Sequence, residues 1–339
     1  MSGERWPDVQ ASAPAVPVSL SLVGVSAVEK IIRIGGPGAG DTQLFSARLD
    51  CFVDLGPEQK GAHMSRFEEA VNDVIGEVIL GEVALRAEKL ARHIAERVRQ
   101  RQDAARAQVT IDARYPEYKH APVSGIATQE MYTLYASAVA FQHGTRQMVG
   151  VAAQGLTTSP GPPQLGVRAR ERLAADGFSD RQIDRVLAAV PVSAGCERGL
   201  GTLHIGCPED CDVDIDAAAL LTIVEDSMSS EIYELVKRSD EAAVIEKAHR
   251  RPRFVEDCVR EMLGAVLDRY GDLPDDAFVS ARHENLGTVH QHSVVAERYG
   301  LLSELRAERR GGTATCHHTS RREWLGAIRA PSASERPLA

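Results

Sequence analysis

Several things are scarce in this 339-residue chain, and each shortage excludes something. Lysine is rare, 6 against 33 arginines, and no Lys/Arg-rich block precedes the C-terminal region. With a net charge of −9, that argues against a nucleic-acid-binding face. No apolar run approaches the roughly 20 residues of a membrane helix. The first ten residues carry Glu4, Trp6 and Asp8 and have no apolar signal core. A cytoplasmic protein with no membrane partner is therefore expected. Six cysteines in such a chain do not make a disulfide framework. The glycine-rich stretch from Gly35 to Asp41 lacks the Lys-Ser/Thr ending of a phosphate loop.

What is present is regular patterning and enough apolar residues, 43 %, to bury a large core. Residues 1–17 read as a flexible arm and Val18–Ile34 as a strand. In Leu44–Leu55, the residues Phe45, Ala47, Leu49, Cys51, Val53 and Leu55 share one face, the mark of a half-buried strand. Ser65 and Glu68 have capping-box spacing, and an apolar helical period runs from there toward Gln102. Val109–Tyr115 and Met131–Gln154 read as strands, the second turning near His143-Gly144. A proline-bearing linker at 157–166 leads into a helical stretch, Arg168–Val190, with a second capping box, Ser179 and Gln182. Leu200–Ile205 reads as a strand. Helices are expected at Ala217–Lys237, Asp240–His249 and Arg253–Tyr270, and closing strands at Ala277–His283 and Thr288–Arg298. From residue 306 the chain reads as a polar tail in which Trp324 and Leu325 have the character to dock. The two halves echo each other, giving an α+β class with two antiparallel-sheet-plus-helices modules, 18–156 and 191–305, joined by 157–190.

Lys60-Gly61-Ala62-His63-Met64-Ser65-Arg66-Phe67 resembles a hallmark stretch of the type IB GTP cyclohydrolases, with Asp54-Leu55 just ahead of it. Ser227-Met228-Ser229-Ser230, Lys237-Arg238-Ser239-Asp240-Glu241, Ala248-His249 and Phe254-Val255-Glu256-Asp257 follow the order and spacing of the archaeal branch that serves methanopterin synthesis. The likeness spans Asp8 to Glu304. It implies the tunnelling fold, two modules per chain, and sites formed where chains meet in a homo-oligomer, a dimer or tetramer. It implies a reaction that opens the imidazole ring of GTP, expels formate and recloses the skeleton as a dihydropterin, with a divalent metal (Fe, Mn or Zn).

The resemblance also assigns roles. Glu256 would hold the heterocycle, because a carboxylate accepts two parallel hydrogen bonds from the N–H edge of a guanine-like ring. The plain alternative is a solvent-facing helix carboxylate. His290 and His292, two apart on an expected strand, would share a face and serve as acid and base or hold a phosphate. Glu241 matches an acidic position near the metal, though an acid at a helix start is also favoured by the dipole. His63 and Arg66 would position phosphate or ribose. Arg198, Lys237 and Arg238 would neutralise a triphosphate, with surface charge as the alternative for each.

The pattern breaks at the metal. Ser159 and Gly161 stand where the family has its Cys-Pro-Cys pair, Gly195 where it has a histidine, and Gly287 where it has a catalytic Glu. Serine is a poor substitute for thiolate and glycine offers no donor. Cys196, one residue past the vacated histidine, could rebuild part of a metal site, whereas Cys207, Cys211 and Cys316-His317-His318 complete no standard spacing. Three readings remain open. The first is an enzyme of changed reaction type on a purine, GTP or pterin-like compound, for which specialised metabolism is a plausible setting. The second is the parental cyclohydrolase with a rebuilt metal site. The third is a non-catalytic binding or regulatory protein, a pseudoenzyme.

Overall fold

Alternation builds the first hairpin. In the computed structural model, which describes residues 9–35, 42–80, 86–161, 163–190, 193–209, 211, 213–287, 291–311 and 316–326, β1 (Leu20–Gly35) pairs antiparallel with β2 (Thr42–Leu55). The whole expected face of β2, Phe45 to Leu55, is buried. The strands β3 (Arg106–His120), β4 (Ala127–Phe141), β5 (Gly144–Pro160), β6 (Ser193–Cys207), β8 (Phe278–Asn285) and β9 (Val294–Leu301) extend one antiparallel sheet in the order β1-β2-β3-β4-β5-β6-β8-β9. A two-residue strand, β7 (Ser230–Glu231), pairs separately with β5.

Helices cover one face of this sheet. The expected single helix from Ser65 to Gln102 is two, α1 (Met64–Leu80) and α2 (Ala87–Gln102), with Arg86 extended ahead of the second. Both bury their stripes (Val71, Val74 and Val78; Leu90, Ile94 and Val98) in the same core. The apolar period therefore carries across the break, and spacing alone does not reveal it. The Ser65–Glu68 capping box does not form. Ser65 lies inside α1, and Glu68 pairs instead with Lys30 on β1 at 2.9 Å.

In the second half α3 (Pro163–Ala175) and α4 (Asp180–Ala189) replace the expected single helix. Gly177, at φ +86°, breaks it by adopting the left-handed conformation that ends α3. The second capping box is present, with Ser179 N–H donating to the Gln182 side chain at 2.9 Å. The helix α5 (Ala217–Ser227) stops ten residues short of the expected Lys237, because Ser230 and Glu231 leave to pair with β5. α6 (Arg238–Arg250) and α7 (Val255–Arg269) follow their expected spans closely.

The order two strands, two helices, two strands occupies residues 20–141. Two strands, then helices, then two strands recur over 144–301. β5 pairs with β4 on one side and β6 on the other, and it runs through Thr157–Pro160, where a linker was expected.

The C-terminal region is not simply a tail. α8 (Leu302–Arg309) spans the expected boundary at 306, and α9 (Arg321–Gly326) docks Trp324 and Leu325, as their composition suggested. Trp324 packs on Phe278 at 5.6 Å between ring centroids, in a separate cluster with Val139 and Met148 on the sheet face away from the main core. Gly206 makes room for it, since a Cβ there would sit 2.6 Å from the indole.

One acid is buried where the helices meet. Burial pushes the Glu88 carboxyl on α2 up from 4.5 to about 7, against the pull of its own backbone N–H and of Arg86. A carboxyl raised on folding binds its proton more tightly in the native state. Its stabilising contribution is complete below pH 4.5 and is lost as pH rises toward 7. Glu88→Gln is accordingly expected to stabilise the protein by roughly 1–3 kcal/mol at pH 8 and to leave it unchanged at pH 4. Urea melts at the two pH values measure this, and equal effects at both would contradict it.

Candidate functional site

At one end of β5 and β6 the ladder becomes irregular. It runs Leu156↔Arg198, Thr157↔Glu197 and Thr158↔Cys196, then shifts before Pro160↔Ser193. Ser159 on β5 and Ala194 and Gly195 on β6 lie in that irregular step. Gly161 follows directly after the end of β5. Two residues that sequence spacing could only count are thus neighbours, because antiparallel pairing brings chain positions 36 apart side by side.

Three segments stitch this end together. Ser229 N–H donates to the Leu156 carbonyl at 2.9 Å, and Thr158 N–H to the Ser229 hydroxyl at 3.0 Å. Arg253 N–H donates to the Thr158 carbonyl at 2.8 Å, and its guanidinium reaches the Ser227 carbonyl at 2.5 Å. The Ser227–Ser230 motif is thus a clasp over the end of β5. Arg253 holds the start of α7 beside Thr158, and Glu256 lies exposed in the first turn of that helix.

Below this surface runs a buried polar chain that sequence reasoning missed. The Thr157 hydroxyl donates to Asn285 Oδ1 at 2.7 Å. His283 Nε2 lies 3.1 Å from the same oxygen. Asn285 Nδ2 donates to Glu197 Oε2 at 2.6 Å. Burial holds the His283 imidazole below its usual range, against the contact with Asn285, so it is neutral at pH 7 and its Nε2 is the donor. Gly199 is required here, because a Cβ would stand 2.5 Å from His283 Nε2. The sequence signal for this chain was the glycine alternation of β6, Gly199 and Gly201, opposite polar residues on β8.

The other expected residues fall elsewhere. Lys237, Arg238 and Glu241 are exposed at the start of α6. That start is tied to the β3–β4 turn by Asp240, another residue the sequence reading passed over. Asp240 accepts from the N–H groups of Val123 at 2.9 Å, Ser124 at 2.8 Å and Lys237 at 2.9 Å. The Ser124 N–H above all, with those of Lys237 and Val123 and the Ser124 hydroxyl, holds the carboxyl well below the usual range. Arg198 is exposed on β6, and its carbonyl accepts from Leu286 N–H at 2.8 Å. His63 and Arg66 bind within the first half, the His63 backbone to Gln102 (2.8 and 3.2 Å) and the Arg66 guanidinium to the Arg101 carbonyl at 3.3 Å. His290 lies outside the described residues. His292 precedes β9 rather than sitting on it, because the pairing with β8 begins at Asn285↔Val294. The expected shared strand face for the two histidines is therefore not formed at His292.

Among the described residues no three His, Cys, Asp or Glu side chains gather to hold an ion. Cys196 Sγ is exposed and receives a hydrogen bond from the Thr158 hydroxyl at 3.6 Å. Cys207 and Cys211 contact each other, buried at the opposite end of β6, so they cannot rebuild the vacated site. Among the described residues no helix is long and apolar enough to cross a membrane.

A family model described as type I GTP cyclohydrolase folE2 matches residues 6–296. The chain is 37 % identical over 308 residues to a protein named GTP cyclohydrolase MptA from Methanothermobacter thermautotrophicus, covering 89 % of this chain and 96 % of that one. It is 37 % identical over 310 residues to the protein of the same name from Haloarcula marismortui, covering 90 % and 98 %. Among solved structures, uricase from Arthrobacter globiformis aligns with a TM-score of 0.49 at 7 % identity, over 82 % of this chain and 92 % of that one.

Proposed function

The chain belongs to the type I GTP cyclohydrolase family, and from that premise we propose that it acts on GTP or a related purine or pterin-like compound by altered chemistry. The observation that carries the reading is the arrangement at the end of β5 and β6. The clasp and Arg253 bring the first turn of α7, with Glu256, to the end of β5, next to the irregular step that holds Ser159 and Gly195. The ring-binding carboxylate is kept while three metal-site side chains are replaced.

In this reading Glu256 holds the heterocycle. His290 and His292 serve as acid and base, while Arg198, Lys237 and Arg238 face the phosphates. The protein is cytoplasmic and consists of two tunnelling-fold modules, residues 20–141 and 144–301, assembled as a homo-oligomer. A neighbouring subunit would then supply His63 and Arg66.

The parental reaction is the second reading, favoured by near-full-length identity to proteins named GTP cyclohydrolase. Incubation with GTP and Fe(II), Mn(II) or Zn(II), following pterin fluorescence, separates the two. The altered-chemistry reading expects GTP to bind without a fluorescent pterin forming under any metal. Pterin formation at enzymatic rates would establish the parental reaction instead. Absence of binding by GTP and by pterins would remove both.

A further inference from the structure

The vacated positions have a neighbour of the opposite character. Glu197 pairs with Thr157 on β5, and Gly195, two residues before it on β6, has open space where a side chain would stand. The carboxylate is not loose, since Asn285 Nδ2 fixes Oε2 at 2.6 Å, and Asn285 is itself fixed by Thr157 and His283.

The cost of this arrangement is informative. Thr157, His283 and Asn285 are 1 %, 0 % and 4 % exposed, whereas Glu197 is only half-buried. An apolar core would avoid the desolvation that these groups incur. The chain is also incompletely satisfied, because among the described residues His283 Nδ1 is buried with no hydrogen-bond partner. The polar order converges on one partly buried carboxylate, beside Gly195.

We propose that Glu197 is a ligand-binding carboxylate that accepts hydrogen bonds from O–H or N–H groups of a nucleotide or pterin-like ligand, in the space where the family resemblance places a metal, and that this chain binds its ligand without one. The proposal rests on the purine or pterin reading above. A carboxylate repels phosphate, so the ring edge or the sugar hydroxyls face Glu197 and the phosphates lie away from it. Glycine at 195 leaves open space for those groups. Asn285, His283 and Thr157 are positioning residues that act through Glu197.

Equilibrium dialysis of GTP and of neopterin against the full chain tests this, with EDTA in one arm and Mn(II) or Zn(II) in the others. Wild-type affinity is expected to agree within twofold across the arms. Glu197→Ala should weaken binding at least tenfold and lower the melting temperature, because the buried Asn285 Nδ2 loses its acceptor, and Asn285→Ala should weaken binding three- to tenfold. Glu197→Gln keeps size and the strand contact, so its loss of affinity reports the carboxylate and not the fold. Binding lost in EDTA and restored by metal would overturn the proposal. So would unchanged affinity in Glu197→Gln and Glu197→Ala while Glu256→Ala no longer binds, and in that case the purine reading would survive alone. No binding by wild type in any arm would remove both.

Discussion

Glu256→Ala is expected to weaken binding of GTP or a pterin by about a hundredfold or more. The carboxylate is the natural partner for the paired N–H groups of a guanine-type edge, and hydrogen bonds to a charged acceptor contribute about 1.5–3 kcal/mol each. Losing both also leaves the ligand donors without a partner, so a total near 3 kcal/mol, about two orders of magnitude, is a conservative sum. The substitution should cost the fold little. Glu256 is exposed in the first turn of α7, where an acid gains about 0.3–1 kcal/mol from the helix dipole. Calorimetric titration with GTP and neopterin, beside a thermal melt, reads both quantities. Unchanged affinity would show Glu256 to be an ordinary surface carboxylate of the helix start. Lost affinity with a collapsed melt would trace the effect to the fold instead.

The largest stability effect is expected far from this site. Trp324→Ala should destabilise the protein by roughly 3–5 kcal/mol, the usual range for deleting a fully buried large aromatic. The indole is 2 % exposed, rests on Phe278, and its Nε1–H donates to the Asp276 carbonyl at 2.8 Å. The Arg146 guanidinium lies 5.2 Å from its ring centroid and hydrogen-bonds the Trp324 carbonyl. Removing the ring opens a cavity over Gly206 that no neighbouring side chain there can fill, since residue 206 has none. A denaturant melt showing a change below about 1 kcal/mol would mean that α9 is peripheral to folding. The family match ends at residue 296, ahead of this helix.

How legible each part was follows from the range of the interactions involved. Phe45 to Leu55 could be placed on one buried face because a strand alternates its own side chains, a property of consecutive residues. The Ser179–Gln182 cap could be read because it closes within three residues. The break between α1 and α2 could not, since both helices present the same apolar period to the same core. Nor could the end of α5, where two residues gave up helical bonds for a pairing with β5 some 75 positions earlier. Asp240 read as one acid among several beside Glu241, and only its contacts with Val123 and Ser124 mark it as a tether.

By itself the sequence determined the α+β class, most of the strands and the family. These are local or motif properties, carried by spacing along the chain. Only the tertiary structure decided that Ser159 and Gly195 lie in one irregular step between β5 and β6, that β5 runs on through Thr157–Pro160, and that Glu197 is held by Asn285 from 88 positions away. Pairing between distant strands fixes such neighbours, and hydrogen bonds across them have no signature in the intervening sequence.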